Sequence, residues 1–229
     1  MGVFISPEGG PLPSKRLLLR DDIYATLREE ILSCKLPPST ELREQQLAQR
    51  FAISKSPVRE ALLRLGRESL IEVVSRQGYR VTPISLSDAR DMYSLRAILE
   101  TACAAEVTKK ASNETLASLD RHRRMPKRIA TVDFIERNRD FHCALFEASG
   151  NSRMMSIGRD LIEQMDRMTF ISIDTIQGRD TSALLEEHCR IIDALQARNG
   201  RLAAKLLRRH IDDAAKRMLR GLKRSAITS

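Results

Sequence analysis

Apolar side chains in the first third of the chain recur first with the period of a helix and then with that of a strand. Helical spacing predicts helices over about 21–33 and 42–51, and a third whose first turn holds Pro57 and which Ser54 or Ser56 can cap. Two consecutive prolines end the first of these helices, because proline cannot continue a helix.

Two β-prone runs follow, at 70–74 and 79–83, and they flank a turn that contains Gly78. Three short helices and a two-stranded hairpin are typical of a winged helix-turn-helix. We therefore expect a DNA-binding domain at 15–84, after a disordered tail at 1–14 that is rich in glycine and proline.

The remainder of the chain, residues 85–229, shows helical periodicity and no strand pattern. Six helices are expected there, at about 88–110, 113–129, 132–149, 152–172, 180–198 and 201–224. The fold class that follows is mainly α, with an N-terminal winged helix-turn-helix and an all-α six-helix bundle behind it.

Composition excludes several classes of protein. The 229 residues are 42% hydrophobic, which suffices for a buried core and argues against a disordered chain. No apolar stretch is long enough to span a membrane, and no secretory signal is visible, so we expect a cytoplasmic protein with reduced, scattered cysteines. The net charge of +9 is spread over both parts of the chain and does not by itself locate a nucleic-acid site.

Candidate DNA-binding residues lie at the start of the third helix and at the hairpin tip. They are Ser54, Lys55, Ser56, Arg59, Arg76, Gln77, Gly78 and Tyr79. The start of a helix in the major groove reaches base edges, so Arg59 can bind a guanine through two hydrogen bonds, while the hairpin tip reaches the minor groove or the backbone. Taken singly, Lys55 and Arg59 are better explained as a solvated helix face; the combination with a helix-turn-helix and a basic hairpin favours DNA.

Three of the four histidines fall on apolar helix faces, one in each of three predicted helices: His142, His188 and His210. One such histidine is usually a hydrogen-bonded core residue, but three buried imidazoles need partners for six ring nitrogens. A shared divalent ion would satisfy three of them, and Asn138, one turn before His142, can add an oxygen. Periodicity alone leaves the metal site and the core interpretation equally open.

Arg96 is the other unusual inward-facing residue, because it shares a helix face with apolar side chains. A structural salt bridge or a side chain that extends to the surface would explain it. A guanidinium that binds the carboxylate of a ligand is the functional alternative.

The run from Leu47 to Leu62, Leu-Ala-Gln-Arg-Phe-Ala-Ile-Ser-Lys-Ser-Pro-Val-Arg-Glu-Ala-Leu, resembles the signature of the GntR family of bacterial transcription regulators. Lys55 and Ser56 stand where the family usually has arginine and threonine. The resemblance implies a homodimer that binds a palindromic operator in double-stranded DNA, most often as a repressor.

The segments 138–151, 187–195 and 209–211 are similar to the FCD effector domain of the FadR-like branch of that family. The resemblance implies a divalent metal such as Zn or Ni, held by an aspartate and three histidines. His142, His188 and His210 match these histidines, and Asn138 occupies the aspartate position. It also implies that Arg96, within Tyr-Ser-Leu-Arg, faces an effector pocket, and six helices indicate the VanR-type subgroup.

The hypothesis from the sequence is therefore a transcription regulator, not an enzyme, whose operator affinity responds to a small carboxylate metabolite bound in the second domain. We expect no membrane association. Three alternatives remain: an enzyme in which a histidine-bound metal activates water, a winged-helix module that binds a protein partner, and a regulator whose histidines bind the effector without a metal.

Overall fold

The structure is a computed structural model that describes residues 15–75, 77–124, 126, 129–174 and 182–225. The chain forms two compact units: one holds the residues up to 83 except 32–34, and the other holds 32–34 and the residues from 84 onward. The tail predicted at 1–14 lies outside the described residues.

The first unit is a helix-turn-helix with a small antiparallel sheet. Its elements are α1 (Lys15–Leu32), β1 (Glu41–Leu42), α2 (Glu44–Arg50), α3 (Lys55–Arg67), β2 (Ile71–Val74) and β3 (Gly78–Val81). The strand order is β1-β3-β2, so the predicted hairpin gains a third, two-residue strand. A strand of two residues is too short to show an alternating pattern, and the sequence instead predicted the start of a helix at residue 42.

The face of α3 predicted to be buried forms the centre of this unit. Val58, Ala61, Leu62 and Leu65 are fully enclosed, and so is Leu27 of α1. Burial of each large aliphatic side chain stabilises the unit by about 1.5–3 kcal/mol. This packing fixes α3 in place and leaves its opposite face in solvent.

The second unit is helical. Its α-helices are α4 (Leu86–Lys110), α5 (Asn113–Ser118), α6 (Thr131–Ala148), α7 (Ser152–Asp174), α8 (Ser182–Gln196) and α9 (Gly200–Ser225). Ser85 caps α4, since its hydroxyl accepts a hydrogen bond from the amide of Asp88 at 3.0 Å. The predicted fold class, mainly α with a winged helix-turn-helix ahead of a helical bundle, is confirmed.

Helices α6 and α8 supply four of the largest enclosed side chains in the core of the second unit. Phe141 and Phe146 of α6 and Ile191 and Ile192 of α8 are fully enclosed. At Gly158 of α7, an added Cβ would lie 2.6 Å from the ring of Phe146. Only glycine permits this close approach of α7 to the aromatic ring, so the position of α7 depends on it.

One predicted helix is wrong. The sequence predicted a helix over 113–129, but α5 ends at Ser118, and a 3₁₀ helix (Leu119–Arg123) follows it. Pro126 lies inside the predicted span and cannot donate a helix hydrogen bond, so a regular α-helix is not expected to continue through it. Among the described residues, no helix is both long and apolar enough to cross a bilayer.

Candidate functional site

The start of α3 presents the predicted DNA-binding side chains to solvent. Ser54 is the N-cap residue of α3 and makes no side-chain cap hydrogen bond, so its hydroxyl is available to a ligand. Lys55, Ser56 and Arg59 are exposed on the first turns, while Pro57 of the same turn is buried. The arrangement separates a packed face from a polar face that is exposed to solvent.

Arg59 is held by Glu44, a residue that the sequence pattern did not single out. Its Nε and Nη2 donate to the two carboxylate oxygens of Glu44, at 2.8 Å each, and the hydroxyl of Tyr79 donates to the same carboxylate at 3.4 Å. The hydrogen bond from Arg59 is the main reason that the pKa of Glu44 is lowered, against the effect of burial. Three elements, α2, α3 and β3, thus fix the direction of the Arg59 guanidinium.

The hairpin tip is shaped by Gly78. Its φ of +111° is a left-handed conformation, and an added Cβ would lie 2.9 Å from the carbonyl oxygen of Leu42 in β1. Glycine is therefore required by the packing of the sheet itself. Gln77 is exposed beside it, and Arg76, predicted to bind DNA, lies outside the described residues.

The three inward histidines meet inside the second unit. His142 on α6, His188 on α8 and His210 on α9 are all buried, with 0–4% of their surface exposed. One ring nitrogen from each lies within 4.8 Å of the others, and the Nε2 atoms of His142 and His210 are 3.3 Å apart. Among the described His, Cys, Asp and Glu side chains, these three form the group with metal-ligand spacing.

Two carboxylates, also missed from the sequence, orient two of the imidazoles. Nδ1 of His142 is 2.8 Å from Oε2 of Glu100, and Nδ1 of His210 is 2.6 Å from Oε2 of Glu187. An ionised carboxylate only accepts, so each Nδ1 is the donor, and Nε2 is the ring nitrogen that remains for another partner.

The Nε2 atoms of His142 and His210 face each other at 3.3 Å. Two nitrogens bound to one tetrahedral zinc at about 2.0–2.1 Å are separated by about 3.3 Å. The two rings therefore already have the separation that a shared cation requires. The third imidazole, His188, has a buried Nε2 that lacks a hydrogen-bond partner in the described residues, and its ring stacks on Phe141 with centroids 3.9 Å apart. The donor set fits a divalent metal of the zinc or nickel type.

The electrostatics favour the neutral imidazole at His142 and His188, which is the form that binds metals. Burial, followed by the positive charge of Arg96, lowers the pKa of His142 to about 3, although Glu100 opposes the shift. Burial lowers the pKa of His188 well below its ordinary value, and the neighbouring histidines add to the effect.

Arg96 belongs to a buried polar chain. Its Nε donates to Oε1 of Glu100 at 2.6 Å, and the other oxygen of Glu100 contacts His142. Burial alone would raise the pKa of Glu100, but Arg96 and His142 lower it to about 2. The structural salt bridge considered above is therefore present. Nη2 of Arg96 is nevertheless buried without a hydrogen-bond partner in the described residues, so part of the fork stays open to a ligand.

Two further residues considered from the sequence, Asn138 and Cys143, lie on α6. Asn138 lies on α6 one turn before His142 and is half-buried. Its role as an oxygen ligand stays a prediction. Cys143 follows His142 and lies outside the histidine group, in agreement with its interpretation as a buried thiol.

Comparison with known proteins identifies both units. Residues 19–81 match the family model of bacterial regulatory proteins, gntR family, and residues 91–213 match the FCD domain. The chain is 28% identical over 199 residues to the HTH-type transcriptional repressor RspR of Escherichia coli K12, which covers 85% of this chain and 86% of RspR. It is 30% identical over 220 residues to the HTH-type transcriptional regulator BphR of Paraburkholderia xenovorans LB400, which covers 89% of this chain and 86% of BphR.

The solved structure of E. coli McbR/YncC has the same fold, with a TM-score of 0.71 and 21% identity over 85% of this chain and 94% of that one. The family models span both units, and the relatives match over most of their own length. The chain therefore belongs to the GntR family of bacterial regulatory proteins, with a C-terminal FCD domain, and is a DNA-binding transcription regulator and not an enzyme.

Proposed function

We propose that this regulator is a repressor that binds its operator through the start of α3 and the β2–β3 hairpin. RspR, similar over most of both chains, is named a repressor. The exposed polar face of α3, built from Ser54, Lys55, Ser56 and Arg59, has the residue types that bind phosphates and guanine edges. Gln77, Gly78 and Tyr79, together with Arg76, would contact the adjacent minor groove or backbone.

Within this surface, Arg59 is proposed to read a guanine. Because Nε and Nη2 each donate one hydrogen bond to Glu44, the Nη1 end of the guanidinium remains for a base. We further propose a homodimer, which would place two α3 helices on the half-sites of a palindromic operator. Such a protein would act in the cytoplasm.

The second unit is proposed to bind the effector, a small carboxylate metabolite. The observation that carries this proposal is the buried chain of Arg96, Glu100 and His142, in which Nη2 of Arg96 has no partner. A buried guanidinium with an unused donor is costly, and a ligand carboxylate would satisfy it.

The divalent cation is proposed to be held by His142, His188 and His210, with the amide oxygen of Asn138 as a further ligand. When bound, it would supply a positive centre that attracts a ligand carboxylate. Glu100 and Glu187 orient two of these rings, so the protein itself sets where the ligand nitrogens point. The six α-helices in the described part of this unit support the VanR-type subgroup.

Effector and operator are linked only if the effector binds the DNA-competent and DNA-incompetent states with different affinities. The test is a competition assay with the protein's own promoter fragment against a scrambled duplex, with and without candidate carboxylic acids. A repressor that is released by its effector prefers the promoter fragment and loses that preference when the acid is added. An equal affinity for both duplexes would contradict the proposal.

The metal is tested separately by elemental analysis of the purified protein. The double variant His188→Ala, His210→Ala should lose the bound metal and keep the helical circular dichroism of the parent. His122→Ala, which removes the histidine outside the group, is the matched control and should keep its metal. Unchanged metal content in the double variant would refute the site; an effector response in a parent without metal would favour direct binding to the histidines.

A further inference from the structure

A cleft of about 420 Å³ opens beside the histidine group, lined by the 3₁₀ helix, α6, α7 and α8. His188 is one of its lining residues, so the cleft borders the buried histidines. Five arginines also line it: Arg121, Arg124, Arg137, Arg139 and Arg159. We call this feature the arginine cleft. Its volume is in the range of sites for small molecules.

The carboxylates that line the arginine cleft do not neutralise its arginines. Its lining contains two carboxylates, Asp140 and Glu147, against the five guanidinium groups. Glu147 already pairs with Arg159 at 2.6 Å. Arg139 forms an ion pair at 2.6 Å with Asp166, a carboxylate that does not line the cleft. The positive charge of Arg121, Arg124 and Arg137 is therefore not neutralised by a carboxylate of the cleft, and it would attract an anionic ligand.

Two of these arginines are without protein partners. Arg124 and Arg137 are exposed and make no hydrogen bond or ion pair with any other described residue. Guanidinium groups that converge on one cleft repel one another unless an anion lies between them. Each of them also offers a planar fork of donors that matches a carboxylate or a phosphate.

His188 connects the cleft with the histidine group. His188, which lines the cleft, is buried, and its Nε2 has no hydrogen-bond partner among the described residues. A buried polar atom without a partner is costly, and the cation proposed above would satisfy this one, so the cleft borders the proposed cation site. The cleft therefore combines two exposed arginines that have no partner among the described residues with one buried imidazole of the histidine group.

We propose that the arginine cleft binds a small molecule with two or more negative charges, either a polycarboxylate or a phosphorylated acid. The inference rests on the proposed function, since this molecule would act as an effector of the second unit. It sets the charge of that molecule and places it in the cleft, which Arg96 does not line. A monocarboxylate can engage one fork, whereas a polyanion can engage Arg124 and Arg137 together. The ligand would reach from these arginines toward His188.

Titration calorimetry on the full-length protein as purified tests this inference. The probes are tricarballylate, pyrophosphate and butyrate, at constant ionic strength. We expect tricarballylate or pyrophosphate to bind at least about tenfold more tightly than butyrate, since each charged hydrogen bond adds about a factor of ten or more. A preference for tricarballylate identifies a polycarboxylate site, and a preference for pyrophosphate identifies a phosphate site.

Single substitutions test whether the polyanion binds at Arg124 and Arg137. Arg137→Ala and Arg124→Ala should each weaken the polyanion about tenfold, and their melting curves should match the parent because both side chains are exposed and unpaired. Arg153→Ala is the matched control, since Arg153 is an exposed arginine on α7 that does not line the cleft, and it should bind as the parent does. Equal binding of butyrate, parent-like binding by Arg137→Ala, or an equal loss in Arg153→Ala would each overturn the inference.

Operator binding separates this inference from the proposed function. A polyanion that binds in an Arg137-dependent way without changing operator affinity would support the cleft and contradict its role in regulation. An effector response that persists in Arg137→Ala would support regulation and contradict the cleft.

Discussion

Glu100 is the residue whose replacement tests how the buried polar chain stabilises the helical unit. It is fully buried and accepts from Nε of Arg96 at 2.6 Å and from Nδ1 of His142 at 2.8 Å. Glu100→Gln keeps the shape of the side chain but removes the charge. Glutamine offers one accepting oxygen and one NH₂ group, so one of the two contacts becomes a clash between donors.

The size of the effect follows from the burial of the partner. Arg96 is only 3% exposed, so its charge cannot be solvated when Glu100 becomes neutral. Loss of one partner from a buried ion pair costs about 3–5 kcal/mol. For a protein of this size, about 2–4 °C of melting temperature corresponds to each kcal/mol, which gives a decrease of about 6–20 °C.

The assay is thermal unfolding followed by circular dichroism after treatment with a chelator, so that a bound metal does not contribute. The matched control is Glu106→Gln. Glu106 lies on the same helix and pairs with Lys110 at the same i,i+4 spacing, but that pair is exposed. Exposed pairs of this kind contribute little, so the control should melt with the parent.

The comparison between these two variants decides the outcome. If Glu100→Gln melts within about 2 °C of Glu106→Gln, the buried chain does not stabilise the unit through its charges. Replacing Arg96 and Glu100 together by Met and Leu should recover much of the lost stability, because no unpaired charge would then remain.

Two further predictions concern carboxylates that the sequence did not single out. Glu44→Gln should reduce the preference for the operator over scrambled duplex in a competition assay, because Arg59 loses the charged partner that orients it; an unchanged preference would contradict this role. Burial raises the pKa of Asp166 to about 7, although Arg139 opposes the shift. Since the folded-state pKa lies above the unfolded value, this group lowers the stability as the pH rises from about 4 to 7, by up to about 1.4 kcal/mol per pH unit. In urea unfolding between pH 5 and pH 8, Asp166→Asn should reduce the decrease of the unfolding free energy with rising pH. An unchanged slope of the unfolding free energy against pH would show that Asp166 does not cause this decrease.

Local periodicity predicted the features that depend on neighbours in sequence. The buried face of α3 and the inward direction of His142, His188 and His210 both follow from helical spacing and are found in the structure. The hairpin after α3 is also present, at 71–81. These features could be predicted because each is set by residues three or four positions apart, or by one turn.

Pairings between distant elements could not be predicted in this way. Glu100 and His142 are 42 residues apart, and Glu44 and Arg59 are 15 apart on different helices. A glutamate on a helix face carries no local signal that its partner lies on another element. The helix predicted over 113–129 was wrong because the helix-forming residues near its start outweighed the effect of Pro126 in the pattern.

The three buried imidazoles also have a consequence for the stability of the whole bundle. His142 and His210 are 68 residues apart in the chain, on helices that only the folded state brings together. Any occupant bound by all three rings is therefore absent from the unfolded chain, and a hundredfold excess over its dissociation constant adds about 2.7 kcal/mol by mass action. Preparations from buffers with and without chelating agents would then melt at different temperatures, although their sequence is the same.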